Sequence, residues 1–268
     1  MKYNDWSELL KDRPLDVGLK MGGLPRTGTT ISYINLAEII RQARPDVGIC
    51  GEYWNSTAEI RLNPNYNVLY KARVNNNNPS QTSDNLQKRI DLLKKYDQKK
   101  HFFKMFPHEY GILLGSDEKF MFDLVSNNHW LFFLRHDYIR TFFSWYYSSM
   151  TSVWHYSDFD NLVPVEPINH LDPERITHWQ RNLVLLDNMA ELSHSHKVIY
   201  THEISHLPNL VNTKIVERTD KNEMYKILFK NITYIDDLIY EITARTIKNR
   251  KLKFLTIEND QLLMKDKK

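Results

Sequence analysis

Short apolar runs alternate along the chain with longer stretches in which apolar residues recur at helical spacing. The runs that predict strands lie near 17–22, 46–50, 101–106, 129–135 and 197–201. The stretches that predict helices lie near 29–43, 84–97, 137–150, 173–193 and 221–250, with residues 265–268 expected to fray. Alternation of this kind is typical of a parallel sheet with helices on both faces. We therefore predict a three-layer α/β fold and a single domain over residues 1–268.

A glycine-rich turn joins the first predicted strand to the first predicted helix. Residues 23–30 read Gly-Leu-Pro-Arg-Thr-Gly-Thr-Thr. Glycines allow a sharp turn, and the N–H groups at a helix start attract an anion, so this is the geometry of a phosphate loop. A nucleoside-triphosphate loop needs Lys where this chain has Thr29. The loop therefore predicts an anion cradle for a nucleotide with a shorter, less charged 5′ chain.

Residues 25–30, Pro-Arg-Thr-Gly-Thr-Thr, resemble the 5′-phosphosulfate loop of sulfotransferases, which often reads Pro-Arg/Lys-Ser-Gly-Thr-Thr. The resemblance implies a P-loop NTPase-like sulfotransferase fold. It also implies transfer of a sulfuryl group from 3′-phosphoadenosine 5′-phosphosulfate (PAPS) to a hydroxyl or amine. By the same resemblance Arg26 lies beside the transferring group. The implied 5′-phosphate contacts come from the next four residues, Thr27, Gly28, Thr29 and Thr30.

A second segment resembles the part of sulfotransferases that binds the 3′-phosphate. Those enzymes have an Arg at the end of a buried strand and a Ser about two helical turns later. Arg135 and Ser144 take these positions, with a spacing one residue longer than in the cytosolic branch. The planar guanidinium pairs two phosphate oxygens, and the hydroxyl adds a short donor. Arg140 is an additional cation nearby.

Three more segments resemble the family, so that the resemblance extends in order over residues from about 17 to 205. Residues 104–108 are similar to Lys-Thr-His-Leu-Pro, although the histidine is His108, two positions late. Residues 44–52 are similar to the Pro-Asp-Val…Cys-Gly-Glu segment of tyrosylprotein sulfotransferases, and residues 198–203 to a late strand ending in Tyr-Glu-Asp. Arg26 is then the candidate for leaving-group stabilisation and Lys104 the second cation. The general base is either Glu52 or His108.

Other chemistries have weaker support in the sequence. Residues 202–206 fit the HExxH pattern of zinc proteases, which requires His202 and His206 on one helix face. A predicted strand before this segment and Pro208 after it leave no room for that helix, so we expect no metal. We expect His194 and His196 in surface loops. The alternatives left open are a P-loop phosphotransferase and a non-catalytic nucleotide- or glycan-binding relative.

Composition narrows the class of partner. The formal net charge of +3 gives no case for nucleic-acid binding. The single cysteine, Cys50, excludes an intrachain disulfide, and the sequence shows neither a signal peptide nor a transmembrane run. We therefore expect a cytoplasmic enzyme that acts on a small-molecule, glycan or peptide acceptor. Aromatic residues at 154–156, together with Trp54, are candidates to line the acceptor pocket.

Overall fold

A central sheet of five parallel strands organises the chain. The computed structural model describes residues 3–11, 18–51, 54, 60–61, 69–70, 87, 89–91, 93–95, 98–151, 167–210 and 228–268. The strands are β1 Leu19–Gly23, β2 Gly48–Gly51, β3 His101–Met105, β4 His129–Leu134 and β5 Ser195–Tyr200. Their spatial order is β2-β3-β1-β4-β5. All five predicted strands are confirmed, with small shifts at their ends.

Helices cover both faces of this sheet. They are α1 Thr29–Ala43, α2 Pro107–Ser116, α3 Glu118–Ser126, α4 Tyr138–Thr151, α5 Pro173–Leu192, the single turn α6 Thr201–Ile204, and α7 Ile235–Asn249. A 3₁₀-helix at Trp6–Leu10 precedes the sheet, and another at Gln98–Lys100 leads into β3. The sequence pattern did not predict α2 and α3. Apolar residues lie all round α2, and it contains Gly111 and Gly115, so its helical period is weak.

Two separate cores lie on the two faces of the sheet, because successive side chains of a strand point to opposite sides. From β4, Leu131 and Phe133 pack in the core that contains α1 and the helix Trp6–Leu10. The alternate residues Trp130, Phe132 and Leu134 pack in the core formed with α2, α3, α4, α5 and α7. The result is a three-layer α/β architecture, as predicted. That one domain spans the whole chain stays a prediction.

The start of α5 follows from local sequence. Asp172 is the N-cap residue, and its carboxylate accepts the Glu174 N–H at 2.9 Å. Pro173 occupies the first helical position, where its missing N–H removes no hydrogen bond. This predicted helix start is confirmed. The last predicted helix is interrupted by turns at 229–234, and α7 begins after them at Ile235.

The C-terminal segment is ordered, contrary to the expectation that it frays. Residues Leu255–Glu258 (β6) and Gln261–Met264 (β7) form an unpredicted antiparallel hairpin. Asp187 of α5 holds the entry to the hairpin, because its carboxylate accepts the N–H groups of three successive residues, Lys253, Phe254 and Leu255, at 2.8–2.9 Å. Lys267 then exchanges two backbone hydrogen bonds with His196, at 2.8 and 3.1 Å. A second antiparallel pair of strands joins Ile60–Arg61 to Leu69–Tyr70.

Candidate functional site

The candidate site lies at the carboxyl ends of β1 and β4, which are neighbours in the sheet. The chain leaves β1 through α1 toward β2 on one side, whereas it leaves β4 toward β5 on the other. Ligands of open α/β sheets bind in the crevice where the direction of the connections reverses. The predicted phosphate loop and the predicted 3′-phosphate residues lie on the two sides of this crevice. The topology therefore brings together segments that the sequence separates.

Glycines at both ends of the loop are required by its geometry. Gly23 has a φ of 148°, and a Cβ added there would lie 2.3 Å from the carbonyl oxygen of Phe133 on β4. Gly28, with a φ of 79°, is the N-cap residue of α1 in the left-handed region. Arg26 also has a positive φ, 71°. A conformation of this kind costs a non-glycine residue about 1–3 kcal/mol, and such residues are concentrated at functional sites.

Thr27 attaches the loop to the sheet. Its fully buried Oγ1 lies 2.7 Å from the carbonyl oxygen of Leu24 and 2.9 Å from that of Phe133. The hydroxyl therefore faces the strand ends, and a ligand contact from Thr27 would come through its backbone N–H. Thr29 is buried as well, whereas Thr30 is exposed at the start of α1.

Arg26 and Ser144 are in direct contact. The Nε of Arg26 donates to the Oγ of Ser144 at 3.1 Å, across 118 positions of sequence. Ser144 lies on α4, the helix that follows β4, and is 4% exposed. Arg135 follows the last residue of β4 and is half-buried. Since Gly23 pairs with Phe133 in the strand register, Arg135 emerges beside the loop rather than on another side of the molecule.

Lys104 adds a second cation at the same end of the sheet. It lies on β3, next to β1, and only 2% of its surface is exposed. Its Nζ donates to Thr30 Oγ1 at 2.8 Å and lies 5.1 Å from the centre of the Phe106 ring. Lys104, named from the sequence as a second cation, thus reaches the start of α1; its role in a reaction stays a prediction. Two cationic side chains therefore lie at this end of the sheet: Lys104 contacts Thr30 at the start of α1, and Arg26, two residues before the N-cap Gly28, contacts Ser144 on α4.

Of the two candidate bases, His108 lies among the described residues and Glu52 does not. His108 is the second residue of α2, just beyond the carboxyl end of β3. Its ring centre lies 5.8 Å from that of Phe106 and 6.0 Å from that of His178 on α5. Glu52 lies outside the described residues, as do the aromatic residues at 154–156.

One histidine prediction needs correction, and one aromatic candidate lies in the core. His196 is on β5 and fully buried, with its ring nitrogens 2.9 Å from Ser193 Oγ and 2.7 Å from the Lys265 carbonyl oxygen. His194 is exposed in the bend before β5, as predicted, and its ring packs edge-on against that of His129 at 5.7 Å. Trp54 is 2% exposed and packs against Phe103 in the core.

The HExxH segment does not form a zinc-protease helix. Thr201–Ile204 makes one helical turn directly after β5, and the Nε2 of His206 lies 2.8 Å from the Tyr3 carbonyl oxygen. The His202 ring instead lies 4.5 Å from that of His136. Within the described ranges, no three His, Cys, Asp or Glu side chains come together as a metal site.

Sequence reasoning missed two residues near the loop. Thr201 Oγ1 lies 2.7 Å from the Thr27 carbonyl oxygen and 3.0 Å from that of Leu134. The ring of His136, just after Arg135, lies 4.0 Å from that of Tyr200. Burial, followed by the neighbouring His202, holds the pKa of His136 below its ordinary value, although Glu203 acts in the opposite direction. The only sequence signal for Thr201 is its place between a strand and a turn of helix.

No helix among the described parts of the chain has both the length and the apolar composition of a membrane span. Comparisons with protein-family models, with curated proteins and with solved structures find no match to this chain.

Proposed function

We propose that this protein is a sulfotransferase that moves a sulfuryl group from PAPS to a hydroxyl or amine acceptor. The observation that supports the proposal is the 3.1 Å contact between Arg26 and Ser144. The sequence resemblance assigns Arg26 to the 5′ end of the nucleotide and Ser144 to its 3′-phosphate. Both phosphates of such a nucleotide are attached to one ribose, so their binding residues must be neighbours. Two residues that the resemblance assigns from separate segments are thus in direct contact.

The residues present fit a nucleotide of this kind. The start of α1, from Gly28 to Thr30, offers backbone N–H groups and the positive end of the helix dipole to a 5′-phosphate. Arg135 offers a planar guanidinium to a 3′-phosphate. Lys104 and Arg26 supply positive charge between the two, and Arg26 is held there in a strained backbone conformation.

In the proposed reaction, an acceptor oxygen or nitrogen attacks sulfur as the bond from sulfur to the bridging phosphate oxygen breaks. The acceptor proton passes to the base, for which Glu52 and His108 remain the candidates. The electron pair of the broken bond stays on adenosine 3′,5′-bisphosphate, the leaving group. Arg26 and Lys104 stabilise that developing charge, and removal of such a group typically costs about 3–4 kcal/mol of transition-state stabilisation.

A P-loop phosphotransferase is the second candidate, and one contact favours it. Thr29 replaces the lysine of a nucleoside-triphosphate loop, yet Lys104 brings an ammonium group to Thr30 from the adjacent strand. A lysine supplied from β3 could serve a terminal phosphate as well as a sulfuryl group. The nucleotide that the protein prefers therefore separates the two functions.

The direct experiment is calorimetric titration of the protein with adenosine 3′,5′-bisphosphate and, separately, with ATP. A sulfotransferase should bind the bisphosphate more tightly, whereas tighter binding of ATP would favour the phosphotransferase. An acceptor screen with sulfur-labelled PAPS follows, over small hydroxyl and amine compounds, glycans and tyrosine peptides. Bisphosphate binding without transfer to any acceptor would indicate a non-catalytic relative.

The variant Arg135→Ala sharpens the titration. We expect it to weaken adenosine 3′,5′-bisphosphate about 10- to 100-fold, because a charged hydrogen bond to the 3′-phosphate is lost. Binding of 5′-AMP, which has no 3′-phosphate, should change little. Arg41→Ala is a suitable control, since Arg41 is exposed on α1 and paired with Glu38 at 2.7 Å. Equal losses for both nucleotides would remove Arg135 from the 3′-phosphate role.

A further inference from the structure

Thr201 connects the ends of three neighbouring strands at one hydroxyl group. It is the first residue of α6, directly after β5. Its Oγ1 lies 2.7 Å from the carbonyl oxygen of Thr27 in the loop after β1, and 3.0 Å from that of Leu134 at the end of β4. Because β1, β4 and β5 are consecutive in the sheet, this side chain spans the crevice at its base.

The contact with Thr27 fixes the orientation of a whole peptide unit. The carbonyl of Thr27 and the N–H of Gly28 belong to the same planar peptide, which is trans. In a trans peptide these two groups point in opposite directions. A hydroxyl that holds the carbonyl toward β5 therefore holds the N–H of Gly28 away from β5. Gly28 is the N-cap residue of α1, where free N–H groups and the helix dipole favour an anion.

The loop is already attached to the sheet without Thr201. The hydroxyl of Thr27 contacts the carbonyl oxygens of Leu24 and Phe133, which holds the loop to β1 and β4. The Thr201 hydroxyl acts on a different group, the Thr27 carbonyl. The Thr201 methyl group lies 3.4 Å from the position that a Cβ of Gly28 would take, so the side chain also packs beside Gly28.

We propose that Thr201 is a positioning residue that aims the Gly28 N–H at the 5′-anion of the bound nucleotide. The inference rests on the proposed function, since it assigns the loop to the 5′ end of a nucleotide. Thr201 does not touch the ligand in this account. It acts through the peptide that joins Thr27 to Gly28, and the hydroxyl, not the bulk of the side chain, is the group required.

The test compares Thr201→Val, which has the same shape without the hydroxyl, with Thr201→Ser, which keeps it. The probes are adenosine 3′,5′-bisphosphate and 3′-AMP, which lacks the 5′-phosphate, both titrated calorimetrically. We expect Thr201→Val to weaken the bisphosphate about three- to tenfold, the loss of one uncharged hydrogen bond, and to leave 3′-AMP unchanged. Thr201→Ser should restore the parent affinity for the bisphosphate.

A spectroscopic readout separates positioning from a general loss of stability. The chain has 8 glycines, so ¹⁵N-glycine labelling gives a short list of amide signals. The Gly28 amide should shift when the bisphosphate binds the parent and Thr201→Ser, and less in Thr201→Val. Thr246→Val is the matched control, because Thr246 is a buried α7 residue whose hydroxyl also contacts a backbone carbonyl, at 2.8 Å. It should alter neither affinity nor the Gly28 signal.

Each outcome decides a different point. If the parent binds the bisphosphate and Thr201→Val binds it equally, with an unchanged Gly28 shift, the inference is wrong and the proposed function stands. If both probes lose affinity equally in Thr201→Val, the role is merely structural and the inference is also wrong. If the parent binds neither probe, the proposed function fails and the inference fails with it. Should Thr201→Val not fold, Thr201→Ala carries the same expectation.

Discussion

Two lysines are buried in the sheet one position apart, and their side chains reach toward opposite ends of it. Met21 pairs with Lys104 in the register of β1 and β3, so Lys20 and Lys104 lie on opposite faces. Lys20 is fully buried, and its Nζ reaches back to the amino end of β3, 2.7 Å from the His101 carbonyl oxygen. The Nζ of Lys104 reaches forward to Thr30, at the start of α1.

Under the proposed function, the carboxyl end of the sheet is the end that binds the ligand. An electron-rich carbonyl oxygen and the face of the Phe103 ring, 5.1 Å away, are good partners for the Lys20 ammonium. Lys104 also faces an aromatic ring, that of Phe106 at 5.1 Å, but its hydrogen-bond partner is a hydroxyl at the start of a helix, whose partial positive charge repels a cation. In the proposed function, a bound anion would be attracted by the lysine and the helix end together.

Removing each lysine should therefore have unequal effects on binding. We expect Lys104→Met to weaken adenosine 3′,5′-bisphosphate about 10- to 100-fold, since one charged contact is lost. Its unfolding temperature without ligand should fall little, because the repulsion from the α1 start disappears with the charge. Calorimetric titration of the parent and of Lys104→Met measures the affinity, and thermal unfolding measures the unfolding temperature.

Lys20→Met is the matched control for that experiment. It removes a buried ammonium from the neighbouring strand, yet it leaves the loop, Arg26 and the start of α1 in place. We expect no change in affinity for the bisphosphate. Equal loss of affinity in Lys104→Met and Lys20→Met would mean that both act through the sheet, and the contrast between the two ends would then be lost.

Substitution of Gly23 tests how tightly the backbone is constrained at the carboxyl end of the sheet. A Cβ in Gly23→Ala would lie 2.3 Å from the Phe133 carbonyl oxygen, at a φ of 148°. We expect this change to lower the free energy of unfolding by about 1–3 kcal/mol, measured by urea denaturation. Gly115→Ala is the control, since nothing lies within 4 Å of that added Cβ. In α2 it should be neutral or stabilising by up to about 1 kcal/mol.

If Gly23→Ala unfolded at the same urea concentration as the parent, the close approach of β1 to β4 would not constrain the loop. The loop would then not be a rigid anion cradle.

The parts of the fold that depend on short stretches of sequence were predictable. Each strand is a short apolar run, and α1 and α5 have a clear helical period with recognisable starts. The loop was predictable because glycines at 23 and 28 mark a turn in the sequence, and both have a positive φ in the fold. By contrast, α2 follows β3 without a linker and has apolar residues all round it, so it had no distinct period. The hairpin β6–β7 depends on Asp187, a residue on a distant helix.

Some neighbours within the candidate site were predictable, because the family resemblance pointed to the segments that supply them. Arg26, Lys104 and Ser144 were named from the sequence, and the fold brings Arg26 to Ser144 and Lys104 to Thr30. Thr201 was not found, because its role depends on which carbonyl lies within reach after folding. The burial of His196 was missed for a similar reason, since the segment that covers it comes from the far C-terminus.

The smallest expected effect concerns His136, at the same end of the sheet as Lys104. Its pKa is held below the ordinary value of 6.5, chiefly by burial and then by His202. Below that pH the unfolded chain binds a proton that the folded protein resists, so this part of the stability is present above pH 6.5 and is lost as the pH falls.

His136→Phe keeps a ring against Tyr200 but cannot be protonated. Thermal unfolding between about pH 5 and 8 should therefore show a shallower acid-side decline in the variant than in the parent. Parallel declines would mean that other groups, such as His178, whose pKa is lowered too, account for the acid sensitivity.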